Sequence, residues 1–149
     1  MSWPAPQPGL VVRYAYLWER EAQLGREEGV KDRPCAVLLV VQRDDDVAPL
    51  VRVLPITHRP PTGDIVAVEV PAATKRRLGL DDEPSWIVVS EGNEFRWPGP
   101  DLRPAINGDP TSVVYGTLPP GLFARVREAF LATYRARRAR GFANRIGPS

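Results

Sequence analysis

The chain has little of what most enzyme sites are built from. Among its 149 residues there is one cysteine, Cys35, and one histidine, His58. A single cysteine excludes an intrachain disulfide, and one Cys with one His provides no cluster of zinc-ligand spacing. Cys35 falls inside an apolar run, so a buried free thiol is expected. No Gly-rich phosphate loop of the Walker or dinucleotide type is present, nor is a Gly-x-Ser-x-Gly elbow. A site free of metal and cofactor is what these absences leave. Long apolar runs are missing too. The longest, Cys35 to Val41, is too short to cross a bilayer. The opening Ser2-Trp3-Pro4-Ala5-Pro6 lacks the basic-then-apolar order of a secretory leader, so a cytoplasmic location without a membrane partner is expected.

Proline and glycine, by contrast, are plentiful. The 17 prolines and 12 glycines are spread along the chain, which suits short strands joined by tight turns, because each one ends a ladder. Hydrophobic residues at 43% and charged residues at 26% are ordinary for one globular domain of this length. Charge is distributed unevenly. Residues 1–119 carry 13 Lys/Arg against 17 Asp/Glu, whereas residues 120–149 carry seven Arg against Glu128 alone. Such a basic end suits nucleic acid or an acidic partner segment; a solvated helix face with a frayed tail is the plain alternative.

Period-two alternation over Leu10, Val12, Tyr14, Tyr16 and Trp18 predicts a half-buried strand. Residues 19–32, charged and holding Gly25 and Gly29, read as a long loop, with a weak signal for a short helix over 17–24. Pro34 to Val41 reads as a central buried strand, with Leu50 to Thr57 as its hairpin partner across the Arg43–Asp46 turn. Further strands are expected over 64–70, 86–91 and 112–118, with residues 93–107 mostly loop. Pro71 to Leu78 reads as one or two helical turns stopped by Gly79. Pro119-Pro120 introduces the one long helix, whose stripe is Leu122, Val126, Phe130 and Thr133/Tyr134. Six short strands and a terminal helix make an α+β, mainly β domain. Closing the exposed edges points to a small SH3-like barrel of short antiparallel strands. The expected layout is an arm over 1–8, one domain over 9–140 and a basic tail over 141–149.

Two strand ends carry the chemistry. In a hairpin of equal strands, Arg33 and Thr57 share the open end of the sheet. Arg33 offers a planar fork matched to phosphate, Thr57 a hydroxyl donor, and His58 a group that titrates near neutral pH. Together these groups are able to bind and polarise a phosphodiester. The plainer reading stands beside it: Arg33 as a solvated cap or ion-pair partner of Glu27 or Glu28, Thr57 placed by β propensity, His58 a solvated turn residue. Phe95 and Trp97, in a polar Pro-rich stretch, suit stacking on an unpaired base, or else form a lid over the barrel end or a dimer contact.

The runs Gly29-Val30-Lys31-Asp32-Arg33-Pro34-Cys35-Ala36-Val37-Leu38 and Val51-Arg52-Val53-Leu54-Pro55-Ile56-Thr57 resemble the G-x-K-x-R-P-A-V-V-L and V-x-V-x-P-I-T signatures of the PemK/MazF family. Pro8-Gly9-Leu10-Val11-Val12 and Tyr115-Gly116-Thr117-Leu118 stand where that family has its G-D-I-V and I-G-x-L segments. The resemblance implies a PemK/CcdB-type barrel, usually homodimeric, that cleaves single-stranded RNA without metal. It implies the toxin of a type II toxin–antitoxin pair, whose products carry a 2′,3′-cyclic phosphate and whose groove also takes the tail of an acidic antitoxin. Arg33 is then the phosphate and acid group and Thr57 its companion donor. Lys31, Arg59, Glu91, Asn93, Phe95 and Trp97 are the residues expected along the RNA groove. The chain departs from the family over Ser90-Glu91-Gly92-Asn93-Glu94-Phe95, which replaces a D-Q-x-R-T segment and lacks its Arg. Glu94 there adds negative charge, an exposed like-charge cost of about 1 kcal/mol. An inert nucleic-acid- or protein-binding module on the same barrel is the alternative. A gyrase-directed poison ranks last, because Asn144-Arg145-Ile146-Gly147 matches such an end poorly.

Overall fold

A computed structural model of the chain describes residues 4–23, 31–105, 112–136 and 142–144. The acidic residues Glu27 and Glu28, residues 1–3 of the arm and most of the basic tail lie outside these ranges.

The chain runs β1 (Leu10–Tyr16), α1 (Glu19–Gln23), β2 (Lys31–Val41), β3 (Leu50–Thr57), β4 (Ala67–Glu69), α2 (Ala72–Leu78), β5 (Trp86–Val88), β6 (Gly92–Arg96), β7 (Val114–Thr117), α3 (Pro120–Arg135) and β8 (Phe142–Asn144). The described strands form one sheet in the order β4-β5-β3-β2-β1-β7, with β6 also on β3 and β8 on β6. All pairings are antiparallel except β6 with β8. The mainly β, α+β architecture is thus as the composition and patterning indicate. Among the described residues no helix is long and apolar enough to cross a membrane.

Strand β3 organises the sheet, because it changes partner along its length. Its first half pairs β6 from Leu50↔Arg96 to Val53↔Asn93, and its end pairs β5 through Ile56↔Ile87 and Thr57↔Trp86. Pro55 falls in the gap between these two partners, where its missing N–H costs no ladder bond. On the other side β3 pairs β2 as far as Cys35↔Pro55.

Alternation along these strands fills two cores, one on each face. Val11, Ala36, Leu54, Ile56 and Ile87 face Leu122, Val126 and Phe130 of α3 and Leu78 of α2. Their neighbours Val12, Tyr14, Tyr16, Cys35, Val37, Val51 and Val53 face Phe95, Trp97, Leu102 and Val113. Each buried aliphatic or aromatic side chain contributes roughly 1.5–3 kcal/mol. Helix α3 starts with Pro120 in its first turn and buries Leu122, Val126, Phe130 and Thr133, the stripe the spacing predicts; it ends at Arg135, so Arg137, Arg138 and Arg140 lie outside the described residues. Helix α2 ends on Gly79 in the left-handed conformation (φ 72°), as its stop signal requires.

Residues 93–107 are mostly loop in their described part, as expected, but they open on a strand that the patterning did not show, β6 at Gly92–Arg96. Two expectations need correction. The charged loop after β1 begins with the short helix α1, and β2 starts at Lys31 rather than at Pro34. The strand expected over 86–91 ends at Val88, where β5 leaves β3.

Candidate functional site

Arg33 and Thr57 each stand two residues beyond Cys35↔Pro55, the last paired position of β2 and β3. Both lie on the face of their strand that carries Cys35 and Pro55. Outward from them, Arg33 pairs with Tyr14 of β1 and Thr57 with Trp86 of β5, whose other partner is Glu69 of β4.

The Arg33 side chain is half-buried, with its guanidinium carbon 4.9 Å from the centre of the Trp18 ring. Its Nε–H is buried and has no hydrogen-bond partner among the described residues. Stacking on an indole suits a guanidinium, but it leaves the in-plane donors unsatisfied. A buried charged donor without an acceptor is costly, and an anion would have to enter the buried space beside Nε to satisfy it. Thr57 Oγ1 accepts from the Arg59 backbone N–H at 3.2 Å, an arrangement that keeps the hydroxyl proton for donation. The Lys31 backbone pairs with Tyr16.

Trp18 is held by residues expected to touch RNA directly. Asn93 is fully buried; its Oδ1 accepts from Leu17 N at 2.9 Å and its Nδ2 donates to Leu17 O at 2.8 Å. Glu91 Oε2 accepts from Glu19 N and from Tyr16 Oη, each at 2.9 Å. Burial, reinforced by the Glu91 carboxylate, pushes the Tyr16 phenol well above its ordinary value, so it stays a donor. Asn93 and Glu91 therefore clamp residues 17–19 on either side of Trp18. Neither is an open groove contact.

No known family's sequence profile matches the chain, and no curated protein matches it.

Two further expectations change with burial. Phe95 is 1% exposed and Trp97 6%, with Phe95 stacked on Tyr14 at 4.7 Å between ring centres. Both belong to the core, so neither offers a face to a base. Trp97 Nε1 donates to Pro4 O at 2.9 Å and pins the arm. Glu94, expected to repel phosphate, is paired with Arg52 at 2.9 Å.

His58 is drawn elsewhere. Its Nε2 lies 2.7 Å from Asp81 Oδ2 and its Nδ1 3.5 Å from Glu83 Oε2. Asp81 is fixed in turn by the buried Lys75, whose Nζ donates to Asp81 Oδ1 at 2.7 Å, to Ser85 Oγ at 2.7 Å and to the Glu83 carbonyl. The Lys75 ammonium, helped by the Glu83 backbone N–H and His58, outweighs desolvation and holds the Asp81 carboxyl below its ordinary value. His58, Asp81 and Glu83 hold ligand-type atoms within 4.8 Å of one another, all exposed, but Lys75 already supplies the cation beside Asp81. This cluster ties the end of β3 to the connection after α2. Arg59 is exposed beside it.

Sequence reasoning missed Trp18 as a site residue, placing it at the end of a strand. The signal was available only in three dimensions, because Trp18 follows the end of β1 and meets Arg33 of the neighbouring β2.

Proposed function

We propose that the chain is a metal-independent endoribonuclease of the PemK/MazF type, the toxin of a type II toxin–antitoxin pair, on a sheet curled into a small SH3-like barrel. The observation that supports this most is the Arg33 guanidinium: stacked on Trp18, part-buried, its Nε–H without an acceptor, and at the same sheet end as the Thr57 hydroxyl.

In this reading the scissile phosphate of single-stranded RNA lies in the plane of the Arg33 fork, with Thr57 donating to a second oxygen. The ribose 2′-oxygen attacks phosphorus, the new 2′-O–P bond forms, and the P–O5′ bond breaks to leave a 2′,3′-cyclic phosphate. The 2′-hydroxyl proton passes to solvent or base, and the leaving 5′-oxygen takes a proton for which Arg33 is the assigned donor. Charge that builds on the phosphoryl oxygens is met by donors already in place. The ion pair of Glu94 with Arg52 reduces the charge penalty expected from the sequence. The basic residues from Arg125 onward suit an acidic antitoxin tail, and a homodimer in the cytoplasm completes the proposal.

The test is cleavage of single-stranded RNA with a chelator present. Arg33→Ala is expected to slow it by about 10²-fold or more, the scale of removing one transition-state donor, with the fold kept. Arg33→Lys is expected to recover little, since an ammonium lacks the planar fork. Cleavage by Arg33→Ala at the wild-type rate removes the assignment.

A further inference from the structure

Across the open end of the sheet, paired residues share one face. Trp86 of β5 sits directly opposite Thr57 of β3, and Glu69 of β4 directly opposite Trp86. Neighbouring strands are roughly 5 Å apart, so the indole begins one strand beyond the Thr57 hydroxyl. Trp86 differs from the other tryptophans described. Trp97 is buried in the core and Trp18 packs against it, whereas Trp86 is only half-buried and belongs to neither core cluster. Among the described residues its ring has no aromatic or cationic partner. A part-exposed indole of this kind, one strand from the Thr57 hydroxyl, offers its accessible edge and face to a ligand held at Arg33 and Thr57.

The charges on either side say what fits on it. Along the row, Arg33 is positive, Thr57 neutral and the exposed Glu69 negative. A phosphate is drawn to the Arg33 side and repelled from the Glu69 side. A group that extends from a bound phosphate over Trp86 is therefore favoured when it carries no negative charge, and the indole favours one with a flat face. We infer that Trp86 stacks a nucleobase adjoining the phosphate held by Arg33 and Thr57, so that the site takes single-stranded polynucleotide in one polarity across the sheet end. This rests on the endoribonuclease reading of Arg33 and adds a base subsite to it. A duplex is excluded, because its bases are already stacked on both faces.

The test uses the full chain and a short single-stranded DNA, which lacks the 2′-hydroxyl and so binds without being cut. Affinity is measured for the oligonucleotide and for a set in which each base in turn is removed, leaving the sugar–phosphate intact. Wild-type protein is expected to lose roughly five- to hundredfold in affinity at one abasic position, the scale of a single base–aromatic stack. Trp86→Leu, which keeps an apolar strand residue without an aromatic face, is expected to bind the intact strand as weakly as wild type binds that abasic one, and to be insensitive to that abasic site. Trp86→Phe is expected to restore most of the difference, which separates stacking from damage to the fold. If Arg33→Ala weakens binding while Trp86→Leu binds like wild type and keeps the abasic penalty, the base platform is wrong and the anion site stands. If Arg33→Ala leaves binding unchanged, the reading on which the platform rests is itself overturned.

Discussion

At the residue scale the site depends on side chains that never touch a substrate. Asn93 uses both ends of its amide on the backbone of Leu17, and Glu91 takes the N–H of Glu19, so Trp18 has a fixed place from which to cover Arg33. Asn93→Ala leaves two buried backbone groups without partners. A loss of about 2–4 kcal/mol in unfolding free energy is expected from denaturant melts. RNA cleavage should fall further than stability alone explains, because Trp18 is released. Lys75 and Asp81 give a separate test with a defined sign. The folded carboxyl of Asp81 lies below its ordinary value, chiefly through the Lys75 ammonium, so its stabilising contribution is complete above the unfolded value near pH 4 and disappears as pH falls through the lower folded value. Urea midpoints of wild type and Asp81→Asn should therefore differ at pH 7 and converge below pH 4. A difference as large in acid as at pH 7 contradicts this account of the pair.

At the element scale, what was legible depended on local period and on punctuation. Strands β1, β2 and β3 were visible because apolar alternation or a Val-rich run marks them, and α3 because Leu122, Val126 and Phe130 recur at helical spacing. Strand β6 was not, for a physical reason. Its inward positions are Asn93 and Phe95, one of them polar, and Pro98, Gly99 and Pro100 follow immediately, so five residues show no apolar period. The buried Asn93 that hides the strand is also the residue that clamps Trp18. Gly116 carries another element-scale test. It sits at φ 154° where the β1–β7 register shifts, and a Cβ there would lie 2.7 Å from Leu78 Cδ2. Gly116→Ala is expected to cost about 1–3 kcal/mol, from the positive φ as well as from crowding Leu78. In a Leu78→Ala background the crowding share should be relieved and the backbone share should remain. A larger cost in the Leu78→Ala background than in the wild type would contradict the contact between α2 and β7.

At the scale of the whole molecule, one sheet serves two purposes. One face is sealed by α2 and α3, and the other wraps an aromatic core whose open end holds Arg33, Thr57, Trp18 and Trp86. Arg33 and Thr57 were legible as a pair because a hairpin of equal strands brings its ends together. Trp86 was not, since β5 returns to β3 only after β4 and α2, and that contact leaves no local pattern. For His58, adjacency in sequence to Thr57 suggested shared chemistry, whereas in the fold Asp81 and Glu83 hold its ring. With Arg33 meeting phosphate as proposed, oligonucleotide affinity should fall with salt. Arg33→Ala should make that slope shallower by about 1, measured by titration across a salt series.

In the proposed reaction the Arg33 Nε–H takes a phosphate oxygen as its acceptor. Nitrogen-resolved NMR of the arginine Nε–H groups tests it most directly, with the signal assigned by its loss in Arg33→Lys and followed while uncleavable single-stranded DNA is added. The account predicts that this resonance moves downfield and exchanges more slowly with water in step with binding. A strand that binds while the Arg33 signal stays where it was would contradict it.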